Sequence, residues 1–259
     1  KGEEYWNYKN LEEFNKIHLD YKIEPKKYDF NCLNRRLRTH RLYILGKLNK
    51  LNLIDNNIVT YDFTINENKD HLKEIPNIQD NEMLDFTDIK KYIVDLQINK
   101  DKKFYDFEDL ESLYGIMHED ASVYEDSMFS FISETSFLDN EFYISEKVVK
   151  ALGQNHPFIV YGNVGTLKEL KRMGFRTFSP FIDESYDLEP NIQKRMDMVF
   201  DEVLKLVNKT EEEKLEWMKN IKPILEKNYK VLRNLFYNDK KLKIKNETNL
   251  KMLAPNYLI

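Results

Sequence analysis

Two short polar segments in the middle of the chain have residue types that suit a phosphate-bearing ligand. Ser133-Glu134-Thr135-Ser136 follows an apolar run typical of a strand, and Tyr143-Ile144-Ser145-Glu146-Lys147 opens an amphipathic run typical of a helix. In open α/β sheets, ligands bind at the carboxyl ends of strands, where the first turn of a helix offers unpaired N–H groups. Lys147 can add a charge-assisted contact, and Glu146 can accept the two hydrogen bonds of a ribose diol. The plainer alternative is a favourable first-turn carboxylate beside a solvated lysine.

A second candidate cluster is basic and lies about a hundred residues earlier in the sequence. Four arginines fall within seven residues, Arg35-Arg36-Leu37-Arg38-Thr39-His40-Arg41, directly after Asn34. Arginine suits a diphosphate because its planar fork can bond two oxygens at once. Positive charge there would also stabilise a departing nucleoside diphosphate. We therefore expect an anion site that uses Asn34 with Arg38 or Arg41. A surface cluster and a nucleic-acid contact are the alternatives.

The region 131–162 resembles the donor-binding segment of family 10 glycosyltransferases, the α1,3/4-fucosyltransferases. The residues that carry the resemblance are Glu134-Thr135-Ser136, Tyr143-Ile144-Ser145-Glu146-Lys147, Ala151-Leu152 and Pro157-Phe158-Ile159-Val160-Tyr161-Gly162. The chain departs from the family at Thr135, where the family has Asn, and at Ser145, where the family has Thr. These departures leave the sugar and the base of the donor open, with a GDP-linked donor as one alternative.

The resemblance implies a GT-B transferase that moves a sugar from a nucleoside-diphosphate sugar to a hydroxyl acceptor, a glycan or another, with inversion and without a metal. It implies that Glu146 binds the ribose and that Lys147 meets the phosphates. In the family an arginine opening the helix after a polar loop reaches the donor phosphates, and Arg38 or Arg41 resembles it. The predicted donor-binding residues are Asn34, Arg38, Arg41, Thr135, Ser136, Tyr143, Ser145, Glu146, Lys147 and Gly162.

An inverting transferase also needs a carboxylate or histidine to take the proton of the acceptor hydroxyl. In family 10 this base comes from a lobe upstream of the donor domain. Only about 25 residues precede the first predicted strand here, so either that lobe is missing or residues 64–120 replace it. Within the predicted site the candidates are Glu134, Asp183 and Glu184. The alternative for the acidic run at 181–187 is a helix-capping loop.

The elements that would position these residues follow an α/β pattern. Strands are predicted over 28–32, 58–63, 128–133, 158–161 and 176–178. Helices are predicted over 1–17, 42–49, 87–96, 107–116, 143–152, 166–173, 192–207 and 211–237. This order predicts a Rossmann-like parallel sheet flanked by helices, of the GT-B C-terminal-lobe type.

The same pattern divides the chain into three parts. We expect an N-terminal helical segment at 1–25, a Rossmann-like nucleotide-sugar-binding domain at 26–190 with an insertion at about 64–120, and C-terminal helices at 191–259. The chain begins with Lys1 rather than Met, which favours a processed chain or a fragment.

Composition narrows the classes of function. With 259 residues, 41% hydrophobic and 33% charged, the chain can bury a substantial core. A net charge of −5 argues against strong, sequence-independent electrostatic binding of nucleic acid. Two alternatives to a glycan transferase stay open, a non-catalytic nucleotide- or anion-binding subunit and, more weakly, sugar transfer to modified DNA. Heavy use of Asn, Lys and Ile indicates an AT-rich genome, such as that of a virus or a low-GC bacterium.

Other motifs contribute little. The single cysteine, Cys32, predicts a reducing compartment, the cytoplasm, or the host cytoplasm for a viral protein. No apolar run approaches the roughly 20 residues that a membrane span needs. The five histidines are scattered, so no metal site is expected. Gly162-Asn163-Val164-Gly165 matches neither a P-loop nor a dinucleotide motif.

Overall fold

The computed structural model describes residues 21–34, 38–63, 84–99, 102–103, 122–135 and 144–242. Its strands are β1 (Tyr28–Leu33), β2 (Ile58–Asp62), β3 (Lys102–Lys103), β4 (Ser127–Ser133) and β5 (Phe158–Tyr161). They form one sheet in the order β3-β2-β1-β4-β5. All neighbours are parallel except β3, which runs antiparallel to β2. The predicted Rossmann-like α/β fold is therefore confirmed.

The described helices connect and flank these strands. They are α1 (Thr39–Lys50), α2 (Lys90–Asn99), α3 (Ser122–Asp126), α4 (Glu146–Gly153), α5 (Thr166–Arg172), α6 (Ile192–Val207) and α7 (Glu211–Leu242), with a 3-10 helix at Glu184–Leu188. None of the helices in this part of the chain combines the length and apolar character that a bilayer span requires. The predicted helices over 1–17 and 107–116 lie outside the described residues.

The core is built on the pairing of β1 with β4. Phe30 is in register with Phe129, and the two rings lie 5.7 Å apart. All seven residues of β4 and all four of β5 are buried, as expected for parallel strands covered on both faces. The apolar residues of these strands belong to one large hydrophobic cluster.

The C-terminal helices pack into that same cluster. Phe200 of α6 meets the edge of Phe131 with ring centroids 5.4 Å apart, and Trp217 of α7 meets Phe129 at 6.5 Å. Both helices present an apolar stripe to the sheet, and the helical spacing of these apolar residues is what predicted the two helices from the sequence. Helices α6 and α7 thus share the hydrophobic core of the sheet.

One predicted strand is wrong. Residues 176–178 form an irregular segment after α5, which ends where Gly174 adopts a left-handed conformation with φ 96°. Asn228 of α7 takes the place of a neighbouring strand. Its Oδ1 accepts from the Arg176 N–H at 2.7 Å, and its Nδ2 donates to the Arg176 carbonyl at 2.7 Å. A side-chain amide therefore satisfies the backbone groups that a sheet ladder would have paired.

Two short elements were not predicted. The strand β3 has only two residues, and α3 has five, so neither carries a periodicity that a sequence pattern could reveal. The helix predicted over 143–152 begins instead at Glu146. Ser145 before it is extended (φ −82°, ψ 173°), and its hydroxyl accepts from the Lys147 N–H at 3.2 Å. Ser145 is thus an N-cap rather than a helical residue.

Replacing Asn228 tests whether this amide organises the segment after α5. Because Asn228 is buried, Asn228→Ala leaves both backbone groups of Arg176 without their partner. We expect the free energy of unfolding to fall by about 2–3 kcal/mol in urea titrations. The matched control is Asn220→Ala on the exposed face of α7, which should cost less than about 1 kcal/mol. Equal losses in the two variants would contradict this role.

Candidate functional site

The strand order creates a crevice at the carboxyl ends of β1 and β4. The chain leaves β1 through α1 toward β2 on one side, and leaves β4 through α4 toward β5 on the other side. Neighbouring parallel strands whose connections diverge in this way form a topological switch point, the usual ligand position in open α/β sheets. The two polar clusters singled out in the sequence follow these two strands, so the fold brings them together.

A buried hydrogen-bond network joins the two strand ends. The Ser133 hydroxyl donates to Asn34 Oδ1 at 2.6 Å. Arg41 of α1 donates from Nε to Ser133 Oγ at 3.2 Å and from Nη2 to the Ser133 carbonyl at 3.3 Å. Asn34 and Arg41 were both predicted as site residues, and both lie at the crevice. Each is nearly inaccessible to solvent, with 1% and 3% of its surface exposed.

His40 is a site residue that the sequence reasoning missed. Its Nε2 lies 2.8 Å from the carbonyl oxygen of Glu134, so the neutral ring carries its proton on Nε2. The ring is 1% exposed and lies beside the Tyr161 ring. The available signal was position: His40 and Ile44 are four residues apart and share the buried face of α1. In the sequence, the neighbouring arginines are the more obvious candidates for an anion site.

Positive charge surrounds His40. Burial is the main cause that lowers the pKa of this imidazole to about 3, and the positive charges of Arg41, Arg38 and Lys147 lower it further. The hydrogen bond with Glu134 opposes these effects without cancelling them. Three predicted cations from both sides of the switch point therefore lie near one buried ring. This convergence places positive charge on both connections of the switch point.

Of the two arginines of the basic cluster that the structure describes, Arg38 is the more accessible. It occupies the N-cap position of α1 with a half-buried side chain. No hydrogen bond or ion pair of its guanidinium with another described residue is found, and its side chain does not cap the helix. Arg35 and Arg36 lie outside the described residues.

Glu134 organises the start of α4 from a fully buried position. Its Oε1 accepts from the Ser145 N–H at 3.0 Å and its Oε2 from the Thr135 N–H at 3.3 Å. Gly162 packs against it, since a Cβ there would lie 3.2 Å from Glu134 Cγ and 2.9 Å from Thr166 Oγ1. The structure thus places Glu134 and Gly162 in close packing behind the crevice. Thr135 is half-buried at the crevice.

Lys147 lies in the first turn of α4, which follows β4, whereas Arg38 follows β1. Its backbone N–H is held by the Ser145 cap, while its side chain is partly exposed. Ser136, Tyr143 and the side chain of Glu146 lie outside the described residues, so their contacts with a ligand stay predictions.

The acidic run after α5 forms the capping loop that was its alternative interpretation. Asp183 caps the 3-10 helix by accepting from the Ser185 N–H, and Glu184 accepts from the Thr177 hydroxyl at 2.6 Å and from Lys171 at 3.1 Å. All of these contacts lie between α5 and α6. The predicted role of Asp183 or Glu184 as a base receives no geometric support from them and stays a prediction.

The loop between β5 and α5 has its amides occupied from within the chain. Asp187 accepts from the N–H groups of Leu167 at 2.8 Å and Lys168 at 3.0 Å, while its carbonyl accepts from Gly165. Burial raises the pKa of Asp187, and these hydrogen bonds offset part of that effect. The amides of Gly165 and of Leu167 and Lys168 in the first turn of α5 are therefore occupied within the chain.

His156 is a buried structural residue in the loop before β5. Its Nδ1 is 2.9 Å from Ser130 Oγ, and its Nε2 is 3.0 Å from the Ser127 carbonyl. Burial lowers the pKa of this ring to about 3 as well.

No group of three or more His, Cys, Asp or Glu side chains within the described ranges is arranged to hold a metal ion. Cys32 is a free, buried thiol whose pKa is raised to about 12 by burial, so it is not a nucleophile.

The two buried histidines predict a pH-dependent stability. Their folded-state pKa values near 3 lie below the value of about 6.5 for an unfolded chain, so only the unfolded state takes up protons at mildly acidic pH. The stability is complete above about pH 6.5 and is lost as the pH falls toward 3. From pH 7 to 5 we expect each histidine to lower the free energy of unfolding by about 2 kcal/mol.

Urea titrations at pH 7, 6 and 5 measure this loss. His40→Gln and His156→Gln differ from the unmodified protein in their free energy of unfolding at pH 7. Between pH 7 and 5 that free energy should fall by less in each variant than in the unmodified protein, because one of the two buried histidines no longer contributes. A stability that stays flat between pH 7 and 5 would exclude the linkage.

Comparisons with protein-family models, with curated proteins and with solved structures found no match to this chain.

Proposed function

We propose that this chain is a nucleotide-sugar-dependent glycosyltransferase domain of GT-B type, which binds the donor diphosphate at the switch point between β1 and β4. The observation that carries the proposal is that hydrogen bonds join the segment of Arg38 and Arg41 to that of Lys147: His40 is bonded to the Glu134 carbonyl, and Glu134 holds Ser145 at the start of α4. These residues come from two segments separate in sequence, each following a strand at the position where open α/β sheets bind ligands.

A diphosphate fits this arrangement better than a neutral ligand does. Arg38 can bond one phosphate with its planar fork, and Lys147 can bond the other from across the crevice. The first turn of α4 adds the positive end of its helix dipole. The resemblance to family 10 contributes the ribose contact of Glu146 and the sugar-linked character of the nucleotide.

The proposed reaction is a single displacement. The acceptor hydroxyl oxygen forms a bond to the anomeric carbon of the sugar, and the bond from that carbon to the diphosphate oxygen breaks. The electron pair of the broken bond stays on the nucleoside diphosphate, and the hydroxyl proton passes to a carboxylate or histidine base. Arg38 and Lys147 would stabilise the charge that develops on the leaving diphosphate.

A non-catalytic nucleotide-binding subunit is the second candidate, and one observation favours it. The three acids considered as bases already have structural partners. Glu134 holds backbone N–H groups of the β4–α4 connection, Asp183 caps a helix, and Glu184 pairs with Lys171 and Thr177. A chain that only recognises a nucleotide needs the cations but no base.

Calorimetric titration tests the binding step. We expect the protein to bind uridine or guanosine diphosphate, or a corresponding nucleotide sugar, and Arg38→Gln or Lys147→Gln to weaken that binding by about tenfold or more through loss of a charge-assisted contact. The matched controls are Arg176→Gln and Lys219→Gln, exposed cations on the loop after α5 and on α7, which should leave the affinity unchanged. Folded protein that binds none of a full panel of nucleotides would sink the proposal.

Release of nucleoside diphosphate from a bound nucleotide sugar, measured with a panel of glycan acceptors, separates the two candidates. Turnover that is lost in Lys147→Gln supports the transferase. Tight binding without release, with every acceptor, favours the binding subunit instead.

A further inference from the structure

Arg41 lies beneath the proposed diphosphate site rather than in it. The side chain is 3% exposed, and two of its nitrogens donate to Ser133 Oγ and to the Ser133 carbonyl. Arg38, three residues earlier, is half-buried at the N-cap position of α1. The two arginines that the sequence could not distinguish thus occupy different layers.

The contacts of Arg41 continue through a chain of buried polar groups. Ser133 donates to Asn34 Oδ1 at 2.6 Å. The Asn34 backbone N–H donates to Thr60 Oγ1 at 3.0 Å, and that hydroxyl donates back to the Asn34 carbonyl at 3.3 Å. The Asn34 amide donates in addition to Cys32 Sγ at 3.2 Å. This network, the Arg41–Thr60 network, joins α1 to the carboxyl ends of β4, β1 and β2.

The network joins the two connections that contain the cations of the proposed diphosphate site. Arg38 follows β1 and opens α1, whereas Lys147 follows β4 and belongs to α4. The hydrogen bonds of Ser133 with Asn34 and Arg41 join these two connections where they leave the strands. The distance between Arg38 and Lys147 therefore depends on these hydrogen bonds.

We infer that Arg41 is a positioning residue that holds Arg38 and Lys147 at the spacing of a diphosphate, and so makes the site select nucleoside diphosphates over monophosphates. The inference rests on the proposed function. A monophosphate can be held by one cation, so its binding depends little on the spacing. A diphosphate gains from both cations only when they are held in place before it binds, because ordering them on binding costs free energy.

The physical basis is rigidity as well as charge. A buried guanidinium with planar, directional donors fixes its acceptors more closely than a lysine ammonium, which keeps the charge but loses the fork. Arg41→Lys should therefore preserve most of the positive charge at the crevice and weaken the hydrogen bonds to Ser133. Ser133→Ala removes the central link of the network without any change of charge.

The test compares affinities for uridine and guanosine mono- and diphosphates, by calorimetry, in the unmodified protein, Arg41→Lys and Ser133→Ala. We expect both variants to bind the diphosphate about tenfold more weakly, the size of one charge-assisted hydrogen bond, while the monophosphate affinity changes by less than about threefold. The preference for the diphosphate, the ratio of the two dissociation constants, falls accordingly. Urea titrations confirm which variants are folded, and Ser133→Ala serves if Arg41→Lys is not.

The outcomes separate the two proposals. If the unmodified protein binds neither nucleotide, the proposed function fails and takes this inference with it. If the unmodified protein prefers diphosphates and both variants keep that preference, the inference alone is overturned. Equal weakening of mono- and diphosphate binding also overturns it, because a general loss of stability or of charge affects both ligands alike.

Discussion

The parallel pairing of β1 with β4 is the constraint on which the rest of the structure depends. It brings together two connections that lie about a hundred residues apart in the sequence, and it does so through apolar register, with Phe30 beside Phe129. At the carboxyl ends of these strands the apolar pattern stops, and Asn34 meets Ser133. A one-residue shift in this pairing would turn every side chain of one strand to the opposite face of the sheet. The crevice, its cations and its hydrogen bonds would all be lost with it.

The free-energy cost of burying polar groups at this edge of the sheet is offset by hydrogen bonds and by the neutral form of His40. Glu134 is fully buried, yet both carboxylate oxygens receive backbone N–H groups. His40 avoids the cost of a buried charge by staying neutral, with its pKa near 3. Arg41 stays charged, because an arginine cannot release its proton in a protein, and donates to oxygens of Ser133. The buried polar groups at this edge are therefore held by backbone groups and by the side chain of Ser133.

Much of the fold could be predicted from the sequence because apolar periodicity reports burial directly. The strand at 158–161 and the helix at 192–207 agree with the structure to the residue. The strand expected at 176–178 failed because the deciding partner, Asn228, lies far along the chain and pairs through its side chain. The roles of the acids were undecidable for the same reason. A carboxylate that caps a helix and one that takes a proton have the same sequence signature, and only the position of distant N–H groups distinguishes them.

The balance of charges at the crevice bears on whether the chain binds a ligand at all. The acids near the site are engaged by the fold, as Glu134 and Asp187 are by backbone amides. The half-buried guanidinium of Arg38, in contrast, has no counter-charge among the described residues, although a partly desolvated cation is costly without one. The anionic ligand proposed above would supply such a counter-charge. Catalysis makes the additional demand of a base with a free lone pair near the acceptor, and that demand is the physical difference between the two candidate functions.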